Sequence, residues 1–139
     1  MVQYSKVSAR DDGAENLVVL EGNSGSIGLT YVYLKYLEDG YIQISGTNPF
    51  DSNGWKRLSE FHLVPGSYTL TGIRGSADNT VVLQLRISDE SGFYKYFNQW
   101  DEDVRFTVEN EMNAELKVRV YPFVESIDLN ARPAVYKDE

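Results

Sequence analysis

The feature that most constrains this chain is an alternation of apolar and polar residues with period two. In Val81-Val82-Leu83-Gln84-Leu85-Arg86-Ile87, the side chains of Val81, Leu83, Leu85 and Ile87 point one way and those of Gln84 and Arg86 the other. Val104-Arg105-Phe106-Thr107-Val108 and Leu116-Lys117-Val118-Arg119-Val120 repeat the pattern. A segment with one apolar and one polar face is a half-buried strand, which belongs in an antiparallel sheet. Residues 29–36 and 41–46 flank Leu37-Glu38-Asp39-Gly40, and Asp-Gly between two β-rich runs predicts a hairpin. Further strands are predicted at 58–63, 68–73 and 92–97, with 17–20 and 127–135 as the outermost ones. Val64-Pro65-Gly66-Ser67 has the proline and glycine of a type II turn, while Asp78-Asn79, Asp89-Glu90-Ser91-Gly92 and Glu109-Asn110-Glu111 read as polar turns. No helical periodicity persists beyond about a turn, so the expected fold is all-β, an antiparallel sandwich or barrel.

At 139 residues the chain has the size of one domain, and its 42% hydrophobic and 13% aromatic content is too rich for a disordered segment. Residues 1–16 are polar and read as an N-terminal arm or first edge strand, residues 17–139 as a single sandwich domain, and Gly22 to Gly28 as a flexible loop. An arm of this kind hints at assembly. No cysteine is present, which removes disulfides, thiolate metal sites and thiol nucleophiles. A net charge of -8 repels phosphate backbones, so nucleic acid is not an expected partner. Neither a signal peptide nor an apolar run long enough to cross a bilayer is visible, so no membrane association is expected.

Catalytic chemistry finds little to work with, and the expectation is a protein that is not an enzyme. The one histidine, His62, precedes a turn and reads as a strand-end surface residue rather than a general base. One histidine without cysteines cannot supply the usual zinc set. Asp101 and Asp103, with Glu102 between them, could offer oxygens to calcium but lack the spaced ligand loop of a dedicated site, so no cofactor is expected. The aromatic residues carry more information. Phe93, Tyr94, Tyr96, Phe97 and Trp100 cluster so tightly that alternation cannot place them all on one face. With Gln99 and Asp101 nearby, Tyr94, Tyr96 and Trp100 have the makings of a sugar platform, and Trp55 is a second candidate. The competing reading is that these rings fill the ends of the sandwich or a subunit interface.

Tyr41-Ile42-Gln43-Ile44-Ser45-Gly46-Thr47, followed by Phe61-His62-Leu63-Val64-Pro65-Gly66-Ser67-Tyr68-Thr69-Leu70-Thr71-Gly72, resembles a strand-and-turn pattern of phage tail and virion proteins. The closing segment Ile127-Asp128-Leu129-Asn130-Ala131-Arg132-Pro133-Ala134 is similar to the last strand of that pattern. The likeness runs from about Leu29 to Ala134, and Ile73-Arg74-Gly75-Ser76-Ala77 departs from it by filling a small-residue loop with larger groups. The resemblance implies a β-sandwich of jelly-roll type with eight to nine strands, similar to carbohydrate-binding modules and without fixed catalytic residues. It further implies a bacteriophage virion structural or accessory protein, a decoration protein or a tail or fibre module, located in the virion. Expected partners are other capsid or tail proteins and further copies of the chain, with a host-surface glycan bound during host attachment. The alternative is a free carbohydrate-binding module or receptor-binding domain using the exposed aromatics.

Overall fold

The computed structural model describes residues 15–74 and 80–138. Among these residues eleven strands form three antiparallel sheets. In the first sheet β1 (Gly25–Ser26), β2 (Tyr31–Tyr36), β3 (Ile42–Asn48) and β10 (Val124–Ala131) lie in the order β1-β2-β3-β10. In the second, β5 (Gly66–Thr71) is flanked by β11 (Ala134–Asp138) and β8 (Val104–Val108). The third contains β4 (Gly54–Leu63), β9 (Met112–Val120), β6 (Val81–Ser88) and β7 (Tyr94–Gln99), in the order β4-β9-β6-β7. One apolar core joins all three: Leu34 and Ile44 from the first sheet, Tyr68 and Leu70 from the second, and Leu83 and Leu116 from the third are almost wholly buried in it. This is the all-β sandwich that the alternation predicts, since the buried residues of β9, and those of β6 apart from the out-of-phase Val82, are ones that alternation points inward. No helix among the described residues is long and apolar enough to cross a membrane.

Local chemistry explains the connections. Asp39 and Gly40 both have positive φ, 69° and 80°, as a hairpin turn matching the twist of β2 and β3 requires. In the middle of β3, Gly46 (φ 133°) lies so close to β2 that a Cβ there would meet the Tyr31 carbonyl oxygen. Asp89 closes the β6–β7 turn by accepting from the Ser91 and Phe93 amides and the Ser91 hydroxyl, and these bonds, led by the hydroxyl, hold its carboxyl below the usual carboxylate range.

Several expectations need correction. The strand count among the described residues is eleven rather than eight to nine: Gly25–Ser26 adds a short strand, and the run predicted over 127–135 is two strands divided at Arg132-Pro133, where proline supplies no N–H and Arg132 donates instead to the Gly72 carbonyl. Residues 17–20 are no strand but a crossing segment. It is held by Leu17 N–H on Val135 O, by Ser59 bonding to Val19, and by Glu21 N–H on Leu58 O. The loop Gly22 to Gly28 contains β1 and ends near the fully buried Ile27, so it is anchored to the core. Most of the N-terminal arm, the turn at Asp78-Asn79 and the loop Gly75-Ser76-Ala77 fall outside the described residues.

Candidate functional site

Register and alternation place the proposed sugar-binding aromatics. Trp55 lies opposite Arg119, Arg86 opposite Tyr96, and Ser88 opposite Tyr94, so Trp55, Tyr94 and Tyr96 share the outer face of the third sheet. They occupy opposite margins of it, Trp55 on β4 and the tyrosines on β7, with β9 and β6 between. Cations already lie over two of the rings, Lys117 Nζ at 4.2 Å from the Trp55 centroid and the Arg86 guanidinium at 5.0 Å from that of Tyr94. Tyr94 and Tyr96 meet edge to face at 5.8 Å. Lys117 also pairs with Glu115 at 3.2 Å, and Arg57 is shared among Glu21, Glu60 and Glu115.

The other candidates go elsewhere. Gln99 points inward and is wholly buried. Its Oε1 accepts from Ile73 N–H at 2.8 Å, and its Nε2 donates to the carbonyls of Ile73 and Glu102 at 3.0 and 3.3 Å. Trp100 is half-buried, edge to face with Tyr121 at 5.3 Å. Asp101 sits in an exposed turn, and its carbonyl accepts from Arg74 Nη1 at 2.9 Å. Asp103 is engaged by the Thr71 hydroxyl and by Arg74 Nη2 at 2.7 Å. Burial pushes its carboxyl up, but those two bonds and the charges of Arg74 and Arg105 outweigh it and leave the net shift downward. Asp103 therefore already has its cation in Arg74, and among the described residues no group of three or more His, Asp or Glu is arranged to hold a metal ion. His62 is exposed, with Nε2 3.3 Å from Glu111 and Nδ1 3.4 Å from Asn113.

A second feature is a crest of apolar side chains on the loops at one end of the sandwich. Thr30 Oγ1 donates to Ile27 O at 2.8 Å and accepts from Val32 N–H at 3.0 Å, forming a tight bend. Gly28 (φ 63°) lies in that bend, where a Cβ would come within 2.9 Å of Gly54 Cα. Leu29 is thereby thrust out and is 92% exposed. The Tyr31 ring lies 5.3 Å from that of Phe50, and Phe50 O accepts from Phe123 N–H at 3.1 Å. Beneath them is Asn48, wholly buried, whose Nδ2 donates to Ser52 O and Tyr121 O while Oδ1 accepts from Phe50 N–H. Phe123 follows Pro122 in a tight turn at φ 56°, a conformation that costs a bulky L-residue about 1–2 kcal/mol, yet its ring is 68% exposed. The sequence reading missed this crest because Phe50 and Phe123 are single apolar residues in loops, which have no period, while Leu29 and Tyr31 fall within the run 29–36 read as a strand. Its one signal is phenylalanine after proline, at a turn position where glycine is the usual occupant.

No protein-family model matches the chain, and no curated protein does. Among solved structures, a chain in the crystal structure of accessory secretory proteins 1, 2 and 3 of Streptococcus pneumoniae has a similar fold. The TM-score is 0.53 at 15% identity, covering 88% of this chain and 100% of that one. At that identity the likeness shows the fold alone. It nevertheless corrects the functional expectation, because the fold is matched in a bacterial accessory secretory protein and not in a bacteriophage particle. The virion structural, decoration, tail or fibre role and the virion location are set aside. The physical reason is that the motifs behind them are turns and alternating strands, which any antiparallel sandwich needs whatever its function.

Proposed function

We propose that this chain is a non-catalytic protein-interaction module, an accessory subunit that docks another polypeptide of a bacterial secretion assembly through the apolar crest. The observation that carries this reading is Phe123, held at positive φ while its ring remains largely in water. A strained backbone and an exposed aromatic ring both work against the isolated chain, and both are accounted for if the ring is buried by a partner. Leu29, Tyr31 and Phe50 extend the surface, and the Asn48 bonds fix the loops beneath it, so little ordering is left to be done on binding. The similar fold comes from a structure of three accessory secretory proteins together, which agrees with a role in assembly. Sugar stacking on Trp55 or Tyr94 is less favoured, since a cation already covers each ring.

The test is quantitative co-purification from native cell extract, with the wild-type chain and a Leu29→Ser, Phe123→Gly variant as baits. The expected result is a partner retained by the wild type and depleted about tenfold or more with the variant, the equivalent of about 1.4 kcal/mol. Equal recovery by both baits, or recovery of no partner by the folded wild type, would overturn the reading.

A further inference from the structure

The third sheet ends at β7 and the second at β8, and among the described residues neither strand has another partner on its outer side. Where loop 100–103 joins them, both are tied to the segment that follows β5, the end of β7 by Gln99 on Ile73 and the approach to β8 by Arg74 on Asp103. From there a groove of about 600 Å³ opens along the seam toward Phe93 and Val108. Its floor is apolar: Phe97 stacks on Phe106 with centroids 4.6 Å apart, and Met112 lies beside them, nearly buried.

The β7 edge is ready for pairing. The bond from Asp89 N–H to Phe93 O sets the parity of the β6–β7 ladder, so Lys95, Phe97 and Gln99 exchange bonds with β6. The backbone N–H and C=O groups of Tyr94, Tyr96 and Asn98 therefore point outward, away from the sheet. Lys95 and Arg105 line the groove, one from each strand, on a chain whose net charge is -8, and Lys95 Nζ lies 5.2 Å from the Phe97 centroid, so an incoming carboxylate would draw it off that ring. Of the acids lining it, Asp89 is committed to its turn, leaving Glu109 at the open end.

We propose that the β7 edge and the adjoining groove accept an extended, acidic segment of a partner polypeptide as a fifth strand of the third sheet. Main-chain bonds to Tyr94, Tyr96 and Asn98 hold it, apolar side chains at alternate positions fill the groove over Phe97 and Phe106, and a carboxylate meets Lys95 and Arg105. Strand addition of this kind takes affinity from the main chain and selectivity from the alternate side chains and the charged rim. The site is separate from the crest and does not depend on it.

The experiment is an amide NMR titration of the full chain with an eight-residue peptide, valine at every second position and glutamate at both ends. Two comparison peptides carry lysine for glutamate, or N-methyl groups on the amides that would face β7. The expected result is protection and shift of the Tyr94, Tyr96 and Asn98 amides with the glutamate peptide. Binding should weaken about tenfold or more on N-methylation, as lost main-chain bonds require. In Lys95→Glu, Arg105→Glu the preference should reverse toward the lysine peptide. No response at these amides up to millimolar peptide, or a response indifferent to N-methylation, overturns the proposal. So does protection of the same amides before any peptide is added: if it depends on protein concentration the edge is taken by a second copy, and if it vanishes on deletion of residues 1–14 it is taken by the chain's own N-terminal segment.

Discussion

Replacing Gln99 by methionine isolates the role of one buried amide, because volume is nearly kept while every polar bond is lost. In the folded chain that amide acts as a strand partner for Ile73, accepting from its N–H and donating to its carbonyl. The losses are unequal. Ile73 O keeps a second donor, Arg74 Nη1 at 2.8 Å, and Glu102 lies in an exposed turn where water can take over. Ile73 N–H, at a wholly buried residue, loses its acceptor. An orphaned buried donor costs about 1–3 kcal/mol and the remaining bonds add about 1, so the expected loss is about 2–4 kcal/mol. At about 3–5 °C per kcal/mol for a domain of this size, Gln99→Met should melt roughly 6–20 °C below wild type in calorimetry. The control is Asn98→Ala, one residue along and on the outer face, where only a 3.1 Å exposed bond from Gln84 is lost; its stability should stay within about 0.5 kcal/mol of wild type. A Gln99→Met chain melting within about 2 °C of wild type would refute the argument that the amide is a structural clasp.

Three further outcomes are expected. Gly46→Ala should destabilise by about 3 kcal/mol or more in urea titration, because φ 133° is foreign to alanine and the new methyl would overlap the Tyr31 carbonyl. Phe123→Gly should leave the melting temperature unchanged or slightly raised: the relief of about 1–2 kcal/mol of left-handed strain is partly offset by about 0.5–1 kcal/mol of added chain entropy, and a clear fall would mean that the ring supports the fold rather than a partner. Asp103 has a folded-state pKa below its unfolded value, so its stabilising contribution is present above the unfolded carboxylate range near about 4 and is lost as pH falls through the folded value. The stability difference between wild type and Asp103→Asn should accordingly be flat from about pH 5 to 8 and shrink below about pH 4. It should not exceed about 1 kcal/mol, since the Arg74 and Asp103 side chains are 59% and 44% exposed.

What could be read from the sequence is what repeats. Val81, Leu83, Leu85 and Ile87 announce β6 because a half-buried strand must alternate, and Asp39-Gly40 announces the β2–β3 turn because few residue pairs tolerate two positive φ values. Parity along β7 also held a clue that was not used: Gln99 is in phase with Phe97, whose ring faces inward, and out of phase with Tyr94 and Tyr96 on the outer face. A polar residue in phase with a core position is a candidate buried hydrogen-bonder before it is a candidate ligand contact.

Among the described residues three side-chain amides, the wholly buried Asn48 and Gln99 and the half-buried Asn16, stand where a ladder gives out. Asn16 takes the N–H groups of Val18 and Val135 and donates to Pro133 O, Asn48 gathers the loops below the crest, and Gln99 ties the end of β7 to Ile73, just past β5, and to Glu102 of the following loop. Backbone groups buried outside a sheet still need partners, and a side-chain amide can supply both a donor and an acceptor from one position. In composition these residues look like ordinary turn formers, so periodicity passes over them. Two of them nevertheless underlie the two proposed binding surfaces, since Asn48 holds the loops that present Phe50 and Phe123 while Gln99 holds the end of β7 beyond which the groove opens. Alternation therefore specifies a sandwich that many unrelated proteins could share, whereas these amides fix the local ends and edges on which the two proposed contacts depend.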